Sequence, residues 1–182
     1  MKRLILIATL YLLSYEFVFA VNFIEAKRLA EQGDAWYQTE IALKYHEGRG
    51  VPRDLAEALK WYRKAADQGF AKAQTNIGVM YGEGQGLPQD YTKASEWFQM
   101  AAEQGNAQAQ HNLGLLYGRG QGVPQDYAEA YIWESLAADS GLEDAIINRD
   151  ICAAELSSEE LQSAKRRELQ LYLRIQHRRV SK

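Results

Sequence analysis

The feature that most constrains the fold is a ten-residue string that recurs at a fixed interval. "YGRGQGVPQD" occupies residues 117–126, and the variants "YGEGQGLPQD" and "YHEGRGVPRD" occupy residues 81–90 and 45–54. Each copy begins 36 residues after the previous one. Periods of roughly 20 to 50 residues are typical of repeat proteins, in which each repeat is one supersecondary unit that stacks on its neighbours. The chain is therefore predicted to fold as a stack of repeats.

The string itself raises a choice between a phosphate-binding loop and a turn. A phosphate-binding glycine loop lies between a strand and a helix, or ends in Gly-Lys-Ser or Gly-Lys-Thr, and neither context surrounds residues 82–86 or 118–122. Glycine lets a helix end and the chain reverse direction, proline restricts φ ahead of a new helix, and aspartate caps free N–H groups. The string is therefore interpreted as a joint between two helices.

The residues on either side of the joint have helical spacing. From Ala71 to Tyr81, small and apolar side chains recur at three- and four-residue intervals, which indicates one face of a helix. Asp90 is the predicted N-cap of a second helix, which Gly105 ends in left-handed geometry. The inner face of that helix is predicted to carry Ala94, Trp97, Ala101 and Ala102. The equivalent tryptophans of the three repeats are expected to be buried in the core, namely Trp61, Trp97 and Trp133.

These residues resemble the pattern of a known family. The pattern A-x-A-x3-(L/I)-G-x2-Y-x2-G-x-G-(V/L)-P-x-D-x3-A-x2-W-x3-A-A-x2-G is similar to that of the Sel-1-like repeat (SLR) family, relatives of the tetratricopeptide repeats. Three full copies span residues 34–69, 70–105 and 106–141. The resemblance implies an all-α fold, an α-solenoid of stacked antiparallel helix pairs whose first helices line a concave surface.

Both ends of the repeat array are predicted to be caps. Residues 26–33, "AKRLAEQG", resemble the end of a truncated repeat, so residues 21–33 are predicted to form an N-terminal cap. After Gly141 the pattern decays, because Arg149 and Asp150 stand where leucine and glycine are expected. Residues 142–182 are therefore predicted to form C-terminal capping helices, since a terminal repeat meets water on its outer face.

The last helix is predicted to begin at Ser157, which has capping-box spacing with Glu160. Its apolar residues are expected to cover the end of the array: Leu161, Ala164, Leu169, Tyr172 and Leu173. Its arginines are expected to stay hydrated: Arg166, Arg167, Arg174, Arg178 and Arg179. Because this helix is both basic and amphipathic, contact with anionic lipid or nucleic acid is the alternative to a capping role. We favour the cap, with no nucleic-acid partner, because the rest of the chain is acidic.

The N-terminus has the three parts of a secretory signal peptide. Lys2 and Arg3 precede an uncharged apolar run over residues 4–13, and a small-x-small site follows at Ala20. An uncleaved membrane anchor is the alternative, but it needs roughly 20 consecutive apolar residues and Glu16 interrupts the run. Residues 1–20 are therefore predicted to be a signal peptide that is cleaved after Ala20, which places the mature chain in the periplasm or outside the cell.

Charge is distributed unevenly along the mature chain. Residues 21–164 contain 12 basic and 22 acidic residues, a net charge of −10, whereas the segment from Lys165 onward has a net charge of +6. Cys152 is the only cysteine in the sequence, so no intrachain disulfide supports the fold even in an oxidising compartment. The fold must depend on the packing of its core.

Residues that differ between repeats at one exposed helical phase are candidates for partner recognition, because stacking does not dictate their identity. The family resemblance places this phase on the first helix of each repeat. The candidate partner-binding residues are Trp36, Thr39, Glu47, Lys72, Thr75, Glu83, Gln108, His111 and Arg119. Trp36 fits equally well as a binding hot spot or as a staple on the N-terminal cap.

The sequence contains no motif for catalysis or for metal binding. His46 is adjacent to Glu47 but has no second histidine four residues on, no G-x-S-x-G string occurs, and Cys152 has no evident base. The chain is therefore predicted to be neither an enzyme nor a cofactor- or metal-binding protein. The alternative is a hydrolase that acts on the cell wall or on a β-lactam. The resemblance suggests it, since cysteine-rich secreted members of the family are associated with β-lactams, but their paired cysteines are absent here.

These expectations combine into one functional hypothesis. The chain is expected to be an exported monomer that binds a protein partner along its concave face. It would act as an envelope adaptor or regulator, or as an immunity-type inhibitor of a toxic effector. An immunity role would require salt-sensitive binding of the acidic body to a basic patch on the effector.

Overall fold

The computed structural model describes residues 23–180, so the predicted signal peptide with its cleavage after Ala20 lies outside the described residues. Within that range all regular structure is helical, which confirms the all-α prediction. The helices are α1 (residues 23–31), α2 (Ala35–Glu47), α3 (Leu55–Asp67), α4 (Ala71–Glu83), α5 (Tyr91–Ala102), α6 (Ala107–Arg119), α7 (Tyr127–Ala138), α8 (Glu143–Ala154) and α9 (Ser158–Val180). They form two compact units, residues 23–68 and residues 69–180.

The second helix of each repeat begins at an aspartate, as the sequence predicts. In all three repeats the aspartate carboxylate accepts a hydrogen bond from a backbone N–H of the first helical turn, at 2.8 to 3.0 Å. The three residues are Asp54, Asp90 and Asp126. Each therefore satisfies a donor that would otherwise have no partner at the helix start.

The joint between the two helices of a repeat is held by backbone hydrogen bonds. In the second repeat, α4 ends at Gly84, whose φ of 68° lies in the left-handed region and whose N–H donates to the carbonyl of Met80. The N–H of Asp90 then donates to the carbonyl of Tyr81 at 2.9 Å, which draws the start of α5 beside the last turn of α4. Both features recur in the third repeat, so the glycine-rich string joins two helices, as predicted.

Close approach between paired helices depends on a glycine in the first helix. The ring of Phe98 in α5 packs so closely on Gly78 of α4 that a Cβ atom at residue 78 would lie 2.5 Å from Phe98 Cε1. At the equivalent contact in the third repeat, the side chain of Glu134 in α7 lies against Gly114 of α6. A Cβ atom at either glycine would overlap the facing side chain, so that side chain or the helix that carries it would have to shift.

The smaller unit has the same pairing, with alanine in place of that glycine. Tyr62 of α3 is fully buried together with Ile41 and Ala42 of α2. The amide of Gln38 in α2 donates to the carbonyl of Ala30 at 3.0 Å, which attaches α1 to the first repeat. Ala30 is buried at this contact, and the role of residues 21–33 as a partial repeat that caps the array stays a prediction.

The tryptophan positions are only partly as expected. Trp61 and Trp133 are each 3% exposed and belong to the core. Trp97 is only partly buried, so its expected place in the core was wrong. Phe98, one residue later, occupies the buried position against Gly78 instead.

The last helix, α9, covers the outer side of α7. Ser157 and Glu160 form the expected capping box, in which the N–H of Ser157 donates to the Glu160 carboxylate at 2.8 Å. Ala164 and Ile175 are buried against α7, which has buried residues on every side over Ala130–Ala137. By covering α7, α9 therefore keeps apolar side chains of α7 out of contact with water.

The structure corrects the expectation for part of the apolar face of α9. Leu169, Tyr172 and Leu173 were expected to cover the array, but they are 59%, 39% and 57% exposed because α9 turns its opposite face towards α7. The five arginines are exposed to solvent, as expected, and three of them also contact the second and third repeats. Arg167 pairs with Glu129, Arg178 pairs with Glu103 at 3.2 Å, and Arg179 donates to the carbonyl of Gly105 at 2.6 Å.

We predict that Gly78→Ala destabilises the protein and that Gly82→Ala in the same helix does not. The new methyl group at residue 78 would overlap the Phe98 ring, and overpacking of this kind costs about 1–3 kcal/mol. The nearest atom to a Cβ at residue 82 is 3.7 Å away, and alanine is the better helix former by up to about 1 kcal/mol. Chemical denaturation followed by circular dichroism measures both, and equal stability of the two variants would contradict the packing account.

Candidate functional site

The first helices of the larger unit line two adjoining clefts. The α4–α6 cleft has a volume of about 240 Å³ and includes Val79, Glu83 and Asn112 in its wall. The α6–α8 cleft has a volume of about 300 Å³ and is lined by His111, Asp144, Ile147 and Asn148 together with the two shared residues. Leu115 and Arg119 belong to both clefts. We refer to the two clefts together as the first-helix groove.

The groove is built by residues at the same position in successive repeats. Val79, Leu115 and Ile151 recur every 36 residues, and of these Val79 and Leu115 give the groove its apolar row. Asn76, Asn112 and Asn148 recur at the same interval, and of these Asn112 and Asn148 line the groove. Because the repeats share one fold, equal spacing in sequence brings equivalent side chains to equivalent places. The groove therefore combines apolar contact surface with amide groups that both donate and accept hydrogen bonds.

Six of the nine predicted partner-binding residues are exposed. Trp36 and Glu47 belong to the smaller unit, and Lys72, Glu83, Gln108 and Arg119 belong to the larger one. Of these, the groove includes Glu83 and Arg119.

Three of the predicted residues are buried, so their expected exposure was wrong. Thr39 and Thr75 are 1% and 6% exposed, and each hydroxyl donates to the backbone carbonyl four residues earlier, at 2.8 and 2.9 Å. A short side chain that bonds to its own helix remains beneath the surface of the neighbouring helices. His111 is 8% exposed, because its ring turns towards α7, although one edge reaches the α6–α8 cleft.

In the smaller unit, Trp36 stands out on the surface. Its side chain is 52% exposed, and its ring meets that of Tyr37 edge-on with centroids 4.8 Å apart. Glu47, in the last turn of the same helix, forms an ion pair with Arg49. An exposed tryptophan with a preordered ring is a suitable anchor for a protein partner.

Beneath the α6–α8 cleft, His111 is paired with a carboxylate that lies wholly inside the protein. Nδ1 of His111 lies 2.8 Å from Oε2 of Glu134, and Glu134 has no exposed surface. Burial raises the pKa of the Glu134 carboxyl, while the bond to His111, the Asn148 amide and the charge of Arg119 oppose that shift. The imidazole and the buried carboxyl group are therefore joined by a hydrogen bond directly beneath the cleft.

Sequence reasoning missed Glu134, although the repeat alignment contains a signal for it. Tyr62, Phe98 and Glu134 occupy the same position in successive repeats, and the first two are buried aromatic residues. A carboxylate in that series needs a polar partner in the core. Thr39, Thr75 and His111 form the opposing series, so histidine appears in the one repeat that has the carboxylate.

The chemistry available at other reactive residues is limited. Cys152 is buried, and burial raises the pKa of its thiol to about 11, so little thiolate forms at neutral pH. Within residues 23–180, no three His, Cys, Asp or Glu side chains converge in a way that could hold a metal ion. None of the helices in that range has the length and apolar character needed to cross a membrane.

The charges along the groove alternate in sign. Glu83, Arg119 and Asp144 follow one another through the two clefts. The Glu83 carboxylate accepts a hydrogen bond from the Gln85 amide at 2.6 Å, whereas the side chain of Arg119 forms no hydrogen bond or ion pair with any residue that the structure describes. Glu47, Glu83 and Arg119 are equivalent positions, so the sign of the charge reverses in the third repeat.

Comparison with known proteins identifies the repeats. The family model described as Sel1 repeat matches residues 37–70, 71–106 and 107–142, which is more than half of the chain. These ranges correspond to the three repeats found from the sequence pattern, and their boundaries differ from those of the pattern by one to three residues. No curated protein sequence matches the chain.

Solved structures show the same fold. A Sel1 repeat protein from Oxalobacter formigenes is 35% identical with a TM-score of 0.65, over 71% of this chain and 97% of that one. The protective antigen c5321 of uropathogenic Escherichia coli strains, which displays an SLR fold, is 41% identical with a TM-score of 0.66. That match covers 68% of this chain and 26% of c5321, so this chain spans about a quarter of its length. Helicobacter pylori cysteine rich protein B, at 18% identity over 69% of this chain and 92% of its own, has a TM-score of 0.58 and shares the fold alone.

We predict that Glu134→Gln changes how stability depends on pH. A carboxyl whose pKa is raised on folding stabilises the folded state most below its unfolded pKa, and this contribution is lost as pH rises through the folded pKa. Glutamine does not ionise. The free energy of unfolding of Glu134→Gln should therefore increase relative to that of wild type as pH rises from acid to neutral.

Denaturation at a series of pH values measures this difference. Glu96→Gln, at an exposed position of α5, is the matched control and should follow wild type throughout. A difference between Glu134→Gln and wild type that is constant with pH would contradict the buried-carboxylate account.

Proposed function

We propose, given that this chain belongs to the Sel1 repeat family, that it is an exported monomeric module that binds another protein along the first-helix groove. Sel1 repeats generally mediate interactions between proteins. The observation that carries the proposal is the groove itself, which joins an apolar row to polar and charged side chains on the first helices. Its mechanism is occupancy: the partner is held, or is blocked from another contact.

The chemistry of the groove suits a protein partner. Leu115 lines both clefts and gives a partner's apolar side chains a surface to cover. The surrounding amides of Asn112 and Asn148 can bond to a partner's backbone, which has both donors and acceptors. Arg119 adds a charged side chain of the type that is enriched at binding hot spots.

Two cellular roles are consistent with binding by occupancy. As an envelope adaptor or regulator, the protein would hold its partner in a complex. As an immunity-type inhibitor, it would cover a toxic effector, and the net charge of −10 over residues 21–164 would favour an effector with a basic surface. Strong weakening of binding by added salt would support the second role, because long-range attraction is screened.

Export through the predicted signal peptide is part of the proposal and has its own test. The protein isolated from the envelope fraction of its native host should begin at Val21, and Ala20→Asp should leave the N-terminus uncleaved because the site needs a small residue. N-terminal sequencing measures both. A mature protein that retains Lys2 and Arg3, or one found in the cytoplasm, would contradict the proposal.

Partner capture from the native envelope tests the role of the groove. We predict that Leu115→Ser combined with Arg119→Ala loses the partner, because the change removes the apolar and the charged contact shared by both clefts. Truncation of a hot-spot side chain typically costs about 2 kcal/mol or more of binding free energy. Affinity purification followed by quantitative mass spectrometry compares the bound proteins.

The matched control is Gln162→Ala combined with Arg166→Ala, at two exposed positions of α9. This variant should keep the partner, and circular dichroism should show that both variants are folded. A partner that is lost from the α9 variant and kept by the groove variant would assign binding to the outer face of α9, where Leu169 and Leu173 are exposed.

A further inference from the structure

We infer that the first-helix groove recognises a protein segment with one acidic side chain between two apolar ones, and that Arg119 selects the acid. The inference rests on the proposed function and names the class of partner segment that the groove takes. Its basis is the place of Arg119 in the groove, the sign of its neighbours and the apolar surface on either side.

Arg119 is placed to meet a ligand in both clefts. It lies in the last turn of α6, where the α4–α6 and α6–α8 clefts meet, and its side chain is exposed. Among residues 23–180 its guanidinium has no hydrogen bond or ion pair, and it acts on the buried Glu134 only by attraction over a longer distance. The planar guanidinium with its five N–H donors matches a carboxylate through two parallel hydrogen bonds.

A position in the last helical turn gives Arg119 a second role that must be separated from ligand binding. A cation there interacts favourably with the helix dipole and the last carbonyls. Lysine would serve that role as well as arginine, since it depends on charge alone. Bidentate pairing with a carboxylate depends on the guanidinium, so Arg119→Lys distinguishes the two roles.

The neighbouring acids restrict the ligand to a single carboxylate. Glu83 lies in one cleft and Asp144 in the other, with Arg119 between them. A run of acidic residues along the groove would bring carboxylates next to Glu83 and Asp144, and like charges at close range oppose binding. One acid at Arg119, flanked by neutral or basic residues, avoids that repulsion.

Apolar side chains of the ligand have surfaces on both sides of Arg119. Val79 and Phe98 line the α4–α6 cleft, and Ile147, which is 58% exposed, lines the α6–α8 cleft. Leu115 lines both clefts, as Arg119 does. The two apolar side chains of the ligand would therefore lie close to each other, one on each side of the acidic side chain that pairs with Arg119. Their burial would also exclude water from the ion pair and strengthen it.

A random peptide library displayed on phage provides the probe. Selection on the folded protein should enrich peptides with one Asp or Glu between apolar residues. Fluorescence anisotropy with an enriched peptide should show that Arg119→Ala and Arg119→Lys each weaken binding by about tenfold or more. Arg63→Ala, at an exposed arginine of α3, is the matched control and should bind as wild type does.

A charge exchange gives a readout that a purely structural role would not produce. Arg119→Glu should lose the acidic peptide and should bind a version in which lysine replaces the acid. Peptides whose binding is lost in Leu115→Ser depend on the groove. If such peptides lack an acid, or bind Arg119→Lys as tightly as wild type, this inference is overturned and the proposed function still stands. An enriched consensus of basic residues would overturn it in favour of a basic effector surface. Failure to enrich any peptide that depends on Leu115 would count against the groove itself.

Discussion

The close contact between a bare glycine on one helix and a large side chain on its partner underlies the rest of the larger unit. Gly78 receives the ring of Phe98, and Gly114 receives the side chain of Glu134. Interiors are packed too tightly to absorb an extra methyl group at such a contact without movement. The spacing within each helix pair therefore depends on these glycines, and the clefts between successive first helices depend on the position of each pair.

The third repeat uses the same contact for a different purpose. Glu134 replaces the aromatic residue, and the carboxylate finds its partner in His111, which replaces a threonine. Arg119 replaces a glutamate in the same repeat. His111 and Arg119 line the α6–α8 cleft, and Glu134 lies beneath it in a hydrogen bond with His111, so the polar changes of the third repeat are concentrated at the groove.

The sequence predicted the features that recur in every repeat. It did not predict the features that depend on which neighbouring helix a given helix packs against. The aspartate caps, the glycine joints and the helix pairs follow from local chemistry that recurs in every copy, so the pattern contains them. The orientation of α9 does not follow from its own pattern, because two apolar stripes are available and contact with α7 selects the one with Ala164 and Ile175. Likewise, the sequence pattern predicts that the position one turn into each first helix is exposed. The residues at that position, Thr39, Thr75 and His111, are buried in the structure. Asn148 and Asp144 lie in the decayed repeat, where only the 36-residue interval points to them.

Site-specific photo-crosslinking in the native host tests the central claim most directly, since it records contact where the partner is present. A photoreactive amino acid at position 115 or 147 in the groove is compared with one at position 60 or 162, which are exposed elsewhere. The account predicts that the two groove positions yield the same crosslinked protein and that the other two yield none of it. A partner that crosslinks at positions 60 or 162 and not at 115 or 147 would contradict binding along the first-helix groove.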